Sequence, residues 1–185
     1  MVKRDFIRNI ILALLAILTV VLLRIFIFST FRVHEDAANQ YLRNNDVVLV
    51  NRNRQPKYKD FIVYEVDGIF YISRIIASEG EAVTYMDDIF YLDELVEPQE
   101  YIESVKNNYL AEAPAGSLFT DDFTIETLTD GKEDTIPKNE YLVLNDDRRN
   151  TNDSRKFGLI KKSQIRGVVT FRILPLSNFG FTDVE

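Results

Sequence analysis

The sequence predicts a mainly β fold, an antiparallel β domain behind one N-terminal transmembrane helix. Three observations carry this. An unbroken apolar run flanked by basic residues lies near the N-terminus. Most of the remaining apolar residues fall in short β-branched and aromatic runs bounded by turn residues. Outside the first run, only Glu100 to Ala113 carries any helical signal, and a weak one.

Residues 10 to 23 read IILALLAILTVVLL, with Thr19 the only polar side chain, and IFIF follows Arg24. As helix, Ile10 to Phe28 spans about 28 Å at 1.5 Å per residue. That matches a bilayer core when the Arg24 stem reaches toward the near interface. Lys3, Arg4 and Arg8 precede the run, so the positive-inside rule sets the N-terminus in the cytoplasm and the rest outside the plasma membrane. A cleaved signal peptide fits less well. The run exceeds a typical h-region, and the flank FSTFRVHE offers no small-x-small site.

Strands are expected at Asp46 to Asn51 (DVVLVN), Asp60 to Val66 (DFIVYEV) and Ile69 to Ala77 (IFYISRIIA). The last two are joined by Asp67-Gly68, a hairpin signal. Ala82 to Tyr85 and Ile89 to Leu92 flank Asp87-Asp88 as a second hairpin. Glu140 to Leu144 and Gln164 to Leu174 complete the set, and Pro175 ends the last strand. Residues 93 to 136 are acidic and irregular, and read as an insertion between core strands.

Composition excludes several chemistries. The chain has 185 residues, no cysteine and one histidine, His34. Disulfides, thiolate metal sites, cysteine nucleophiles and His-based triads are therefore out. The net charge of −7 argues against nucleic acid as a partner. From Glu79 to Asp147 there are 19 acids against Lys106, Lys132 and Lys138, whereas Arg148 to Arg172 holds eight basic groups and the single acid Asp153. The plain reading is a solvated acidic insert beside a basic core edge; the sharper one is an acidic face that docks a partner. His34, Glu35 and Asp36 are consecutive and rarely converge on one ion, so neither metal nor cofactor is expected.

Three ordered blocks behind the anchor carry a resemblance: FRVHEDAANQYLRNNDVVLV, YISRIIASEGEAV, and NDDRRNTNDSRKFG. Together they resemble bacterial type I signal peptidases, a family built on a Ser-Lys dyad. Its blocks have the forms V-x-G-x-S-M-x-P-T-L-x-x-G-D-x-V-L-V, K-R-[VI]-[IV]-G-x-P-G-D and G-D-N-R-x-x-S-x-D-S-R-x-[FW]-G. Val33, Leu42, Asp46, Val48, Leu49 and Val50 match the first block; Arg74, Ile75, Ile76 and Gly80 match the second. Asp146, Arg148, Asp153, Ser154, Arg155, Phe157 and Gly158 match the third.

The reaction positions depart from the pattern. Ala37 stands at the nucleophile, Ser73 at the general-base lysine, Glu35 at the first-block glycine and Ala38 at the methionine; Asn145 and Asp147 replace the glycine and asparagine of the third block. Ala37 has no nucleophile, and a serine hydroxyl cannot replace a deprotonated amine as base. The resemblance sets Glu35 near the oxyanion position, where a carboxylate repels developing negative charge. Glu35 and Asp36, in an extended chain, would point to opposite faces and form no shared-proton dyad.

The resemblance implies an extracytoplasmic signal-peptidase-like domain over residues 32–185, with a core of 32–92 and 136–177 and an acidic insertion of about 93–135. Residues 1–31 would be the cytoplasmic tail and anchor. It also implies a catalytically inactive relative, similar to signal-peptidase-like accessory proteins that act in streptococcal pilus assembly, with pilin subunits or a pilin-specific sortase as clients. A remnant peptide groove is expected at Glu35, Asp36, Ala38, Leu42, Tyr71, Ile72 and Arg74. Asp146, Arg148, Asp153, Ser154 and Arg155 would brace the β core. The alternative is an active type I signal peptidase working through unusual residues.

Overall fold

The computed structural model describes residues 2–182. Val2–Phe26 forms helix α1. Its Asp5–Arg24 stretch has a mean hydropathy of 2.6, is not buried against the other described residues and is long and apolar enough to cross a membrane. The Thr19 hydroxyl donates to the Leu15 carbonyl at 2.9 Å, so the polar side chain in the run is satisfied within the helix.

The helix passes directly into a sheet. The Ile27 N–H returns to the Leu23 carbonyl, and the Arg52 N–H takes the Ile27 carbonyl. Strand β1 is Phe28–Arg32. It pairs with β2, Val47–Asn51, from Phe28 opposite Asn51 to Arg32 opposite Val47. The sheet thus begins at Phe28, ahead of the boundary at residue 32 read from the sequence. A cut at 32 would remove a whole strand.

The chain continues through β3 (Phe61–Val66), β4 (Ile69–Ser78), β5 (Val83–Met86), β6 (Ile89–Leu92), β7 (Leu95–Val96) and helix α2 (Glu100–Glu112). Then come β8 (Phe123–Thr124), α3 (Ile125–Leu128), β9 (Glu140–Leu144), α4 (Ser154–Phe157), β10 (Ile160–Lys161), β11 (Ile165–Leu174) and β12 (Gly180–Phe181). Asp67 and Gly68, at φ 51° and 80°, make the left-handed two-residue turn that matches strand twist; Asp87 and Asp88 do the same at 52° and 60°.

Among the described residues the strands form two antiparallel sheets. The first runs β1-β2-β11-β3-β4-β9-β10, with β12 added to β11; the second runs β7-β6-β5-β8. The hairpin of residues 83–92, read from the sequence as core, belongs to the second sheet together with the acidic segment. That segment is also more regular than expected, because β8 pairs with β5 through Thr84 opposite Thr124.

Strand β3 lies mid-sheet and is buried on both faces. Phe61 and Val63 pack with Val48, Val50, Ile72 and Val169. Ile62 and Tyr64 pack with Ile75, Val143 and Val168. This is why DFIVYEV is continuously apolar rather than alternating. A third cluster joins the sheets, setting Ile76, Leu142 and Leu144 against Tyr85, Phe90, Phe123 and, from α2, Tyr101 and Ile102. Each such side chain contributes roughly 1.5–3 kcal/mol on full burial. Where β11 bulges against β3, a Cβ on Gly167 would meet the Asn51 carbonyl oxygen of β2 at 2.6 Å, so no larger residue fits.

One asymmetry positions the site. Strand β4 pairs with β3 from Ile69 to Arg74, but with β9 only from Arg74 to Ser78. The opposite edge of Ile69 to Ser73 has no strand partner among the described residues.

Candidate functional site

The segment after β1 is polar and aperiodic, and side-chain hydrogen bonds shape it. Glu35–Ala37 forms one 3-10 turn rather than the extended chain expected, closed by the Ala37 N–H on the His34 carbonyl and the Ala38 N–H on the Glu35 carbonyl. Opposite-face placement of Glu35 and Asp36 therefore does not apply; the Asp36 side chain lies outside the described residues. The Asn39 carboxamide oxygen accepts from the Tyr41 and Leu42 N–H groups at 2.8 and 2.9 Å, an Asx-type turn. Leu42 is fully buried beneath it. Gln40 ties the turn to α2, donating to the Tyr101 carbonyl and accepting from Ser104 Oγ at 2.9 Å.

Ala37 and Ser73 face one cavity of about 230 Å³ at the free edge of β4. Glu35, Ala38 and Ile72 line it as expected from the sequence, and so do Asn145, Asp147 and Asn150. Leu42, Tyr71 and Arg74 do not. Tyr71 stacks on Tyr64 at 5.8 Å and packs on Phe157 at 4.8 Å. Leu42 and Arg74 are core residues with no face on the cavity.

Ser73 is fully engaged. Its Oγ donates to Asn145 Oδ1 at 2.7 Å and lies 3.0 Å from the Tyr64 hydroxyl. The Asn145 amide donates to the carbonyls of Asn150 and Asn152 at 3.0 and 3.3 Å. Burial pushes the Tyr64 hydroxyl far above its ordinary value, and it stays protonated at neutral pH. No group in this trio is a base near pH 7. The sequence shows Asn145 only as a departure from a glycine. That it reaches back to position 73 is a contact across 72 residues that no local pattern signals.

The carboxylates of the cavity differ. Arg74 grips Asp146 with two hydrogen bonds of 2.7 and 2.6 Å, and both side chains are fully buried. The guanidinium also donates to the Lys59 carbonyl and lies 4.1 to 5.1 Å from the ring centroids of Phe61, Tyr101 and Tyr41. Arg74 is thus a brace rather than a groove residue. Arg149 binds Asp147 in the same two-pronged way and holds its carboxyl below the usual range, mainly by hydrogen bonding. Among the described residues Glu35 forms no ion pair and leaves the cavity mouth net acidic.

The remaining third-block residues build the loop. Asp153 caps α4, accepts from the Asn145 N–H at 2.9 Å and pairs with Arg155, which also donates to the carbonyls of Arg148 and Asn150. Ser154 Oγ accepts from the Val143 N–H. The buried Arg148 donates to the Asn145 carbonyl and to Gln99 Oε1, joining this loop to the start of α2. All five bracing residues expected from the sequence therefore converge on one loop beside the cavity. Tyr64 and Asn39 were missed, because their roles rest on tertiary contacts and a single Asx turn.

Comparison with known proteins agrees with this architecture. The family described as signal peptidase, peptidase S26, matches residues 5–174. Signal peptidase I of Bacillus caldolyticus is 31% identical over 171 residues, 90% of each chain. Signal peptidase IB of Staphylococcus aureus (strain MRSA252) is 36% identical over 113 residues, 60% of this chain; the match spans only 56% of that relative's length. The crystal structure of a signal peptidase I from Enterococcus faecalis V583 superposes with a TM-score of 0.57 at 33% identity, covering 63% of this chain and 98% of the other. The family match and these relatives agree, and the chain belongs to the signal peptidase family, peptidase S26.

Proposed function

We propose that this chain is a non-cleaving member of its family that holds an extended segment of another polypeptide in the cavity between Ala37 and Ser73. One observation carries the reading: the side chains at the two reaction positions are a methyl group and a hydroxyl engaged by Asn145 and Tyr64. Peptide hydrolysis by a Ser-Lys dyad needs an attacking hydroxyl, an amine that takes its proton, and donors for the oxyanion. Among the described residues the cavity lining contains no lysine or histidine, and Glu35 sets a carboxylate at its rim. What remains supports binding. The unpaired edge of Ile69 to Ser73 offers backbone groups for strand addition, and the small side chains of Ala37 and Ala38 leave room for a residue of the bound segment.

The resemblance to degenerate relatives supports a role for that binding in pilus assembly, with pilin subunits or a pilin-specific sortase as the client. In this reading α1 anchors the protein in the plasma membrane, with its N-terminus in the cytoplasm and the β domain outside. The rival reading, an active signal peptidase, draws on the names of the relatives.

The test is a side chain that fills the cavity. Ala38→Trp should abolish pilus polymer on cells, read as loss of the high-mass ladder on an immunoblot, while the protein melts as a folded chain. Asp121→Lys, at an exposed acid of the insertion, should leave the ladder intact. A normal ladder with Ala38→Trp would place the essential contact elsewhere.

A further inference from the structure

We propose that the groove between the β6–β7 ribbon and α2 is a second docking surface, and that its occupant is an extended basic segment of another chain with intervening apolar side chains. The groove lies beside the second sheet and holds about 400 Å³, against about 230 Å³ for the cavity at Ala37 and Ser73. One wall is apolar and open: Ile89 is 41% and Val96 60% exposed, with Pro98 beside them. The other wall is the first turn of α2, where Glu100 and Glu103 lie one turn apart on the same face.

Three features select the occupant. First, β7 is an end strand. Among the described residues it pairs with β6 alone, and Leu95 is 73% exposed. An unpaired edge beside an apolar groove is the geometry that accepts an added strand. Second, the charge is one-sided. Glu94, Glu100 and Glu103 form no ion pair among the described residues, and the groove's cation, Lys106, has its ammonium on the Asp88 carbonyl at 2.8 Å. Lysine or arginine on an incoming strand meets uncompensated carboxylates, while a second copy of this edge would bring acid against acid. Third, Gln99 faces the groove with its Oε1 already accepting from Tyr85 Oη and Arg148 Nη2, while its Nε2 has no partner among the described residues. That nitrogen is buried, so donation to a backbone carbonyl of the incoming segment requires the side chain to shift toward the groove surface.

None of these residues belongs to the cavity at Ala37 and Ser73, so the inference does not depend on the fate of the dyad.

The experiment uses the full chain in nanodiscs of neutral lipid, with a photoreactive phenylalanine in place of Leu95. The probes are a short alternating Lys-Val peptide and its Glu-Val counterpart at physiological salt. The Lys-Val peptide should bind and cross-link at position 95, and the Glu-Val peptide should not. Glu100→Lys/Glu103→Lys should weaken binding by at least about tenfold, and the milder Glu100→Gln/Glu103→Gln by several-fold, since charge complementarity sets partner choice. A thermal melt confirms that each variant is folded, and Ile89→Asp on the sheet wall tests the groove without touching α2. Equal binding of the two peptides overturns the proposal, as does binding unchanged by the glutamate variants. Cross-linking of two copies of the chain through position 95 overturns it too, making the edge a self-interface.

Discussion

Ser73 and Arg74 are neighbours on one strand, point to opposite faces and have opposite fates. At 74 the residue keeps the family pattern. Its guanidinium is gripped by Asp146 and stacked among three aromatic rings. At 73, where the resemblance sets a lysine, a serine shares hydrogen bonds with Tyr64 and Asn145. The difference is one of debts left behind. Removing Arg74 would strand a buried carboxylate. A lysine at 73 carries a desolvation cost that a hydroxyl–amide–phenol cluster does not. Polar residues that hold the loop are needed with or without chemistry, whereas a buried amine is needed only for chemistry.

The comparison breaks most readily at position 74. Arg74→Met should destabilise the chain by about 3–5 kcal/mol, because Asp146 would remain buried and unpaired. Arg74→Met/Asp146→Leu should cost less than the single change. Chemical denaturation of the full chain measures both, and a small effect of Arg74→Met alone would dissolve the contrast between the two positions.

A second test asks whether position 73 can take the role that the resemblance gives it. Ala37→Ser/Ser73→Lys should stay at least about 10²-fold below an ordinary signal peptidase, the scale of one lost oxyanion donor, since Glu35 persists. The Asn145 side chain also fills space beside position 73. Adding Asn145→Gly should therefore raise whatever activity the double variant shows. Full activity in the double variant would show that neither Glu35 nor Asn145 impedes the reaction.

A smaller effect is expected from pH. Burial raises the hydroxyl pKa of Tyr58, Tyr64 and Tyr101, and for Tyr58 it combines with the nearby Glu97 carboxylate to reach about 12. The unfolded chain releases these protons near 10, while the folded chain keeps them, so stability is intact below pH 10 and falls as pH rises through the folded values. The alkaline midpoint should move upward in Tyr58→Phe, and an unchanged midpoint would show that this tyrosine does not set the limb.

Much of this was legible in the sequence. The hairpins at Asp67-Gly68 and Asp87-Asp88 and the central strand at Phe61–Val66 were read correctly, because turn chemistry and apolar runs are local signals. Strand β1 was hidden, since IFIFSTF extends the apolar run with no change of polarity where helix becomes strand. The turn at Glu35–Ala37 departs from the extended chain expected, because the His34 and Glu35 carbonyls close it and HEDAANQ has no period. Arg74 was placed in the groove although its partner Asp146 lies in the third block. Asn145 was seen only as a mismatch, and its bond to Ser73 exists only in the folded chain.

The central claim is that Ala37 and Ser73 have taken cleavage away while the binding cavity stays. The direct measurement is processing of a membrane-embedded preprotein by the full-length chain in proteoliposomes, with an ordinary signal peptidase as the positive control. The expected result is an intact preprotein at every time point. Cleavage at a small-x-small site that requires this chain, and that survives removal of any contaminating peptidase, would contradict the account and establish an active enzyme working without the family's dyad.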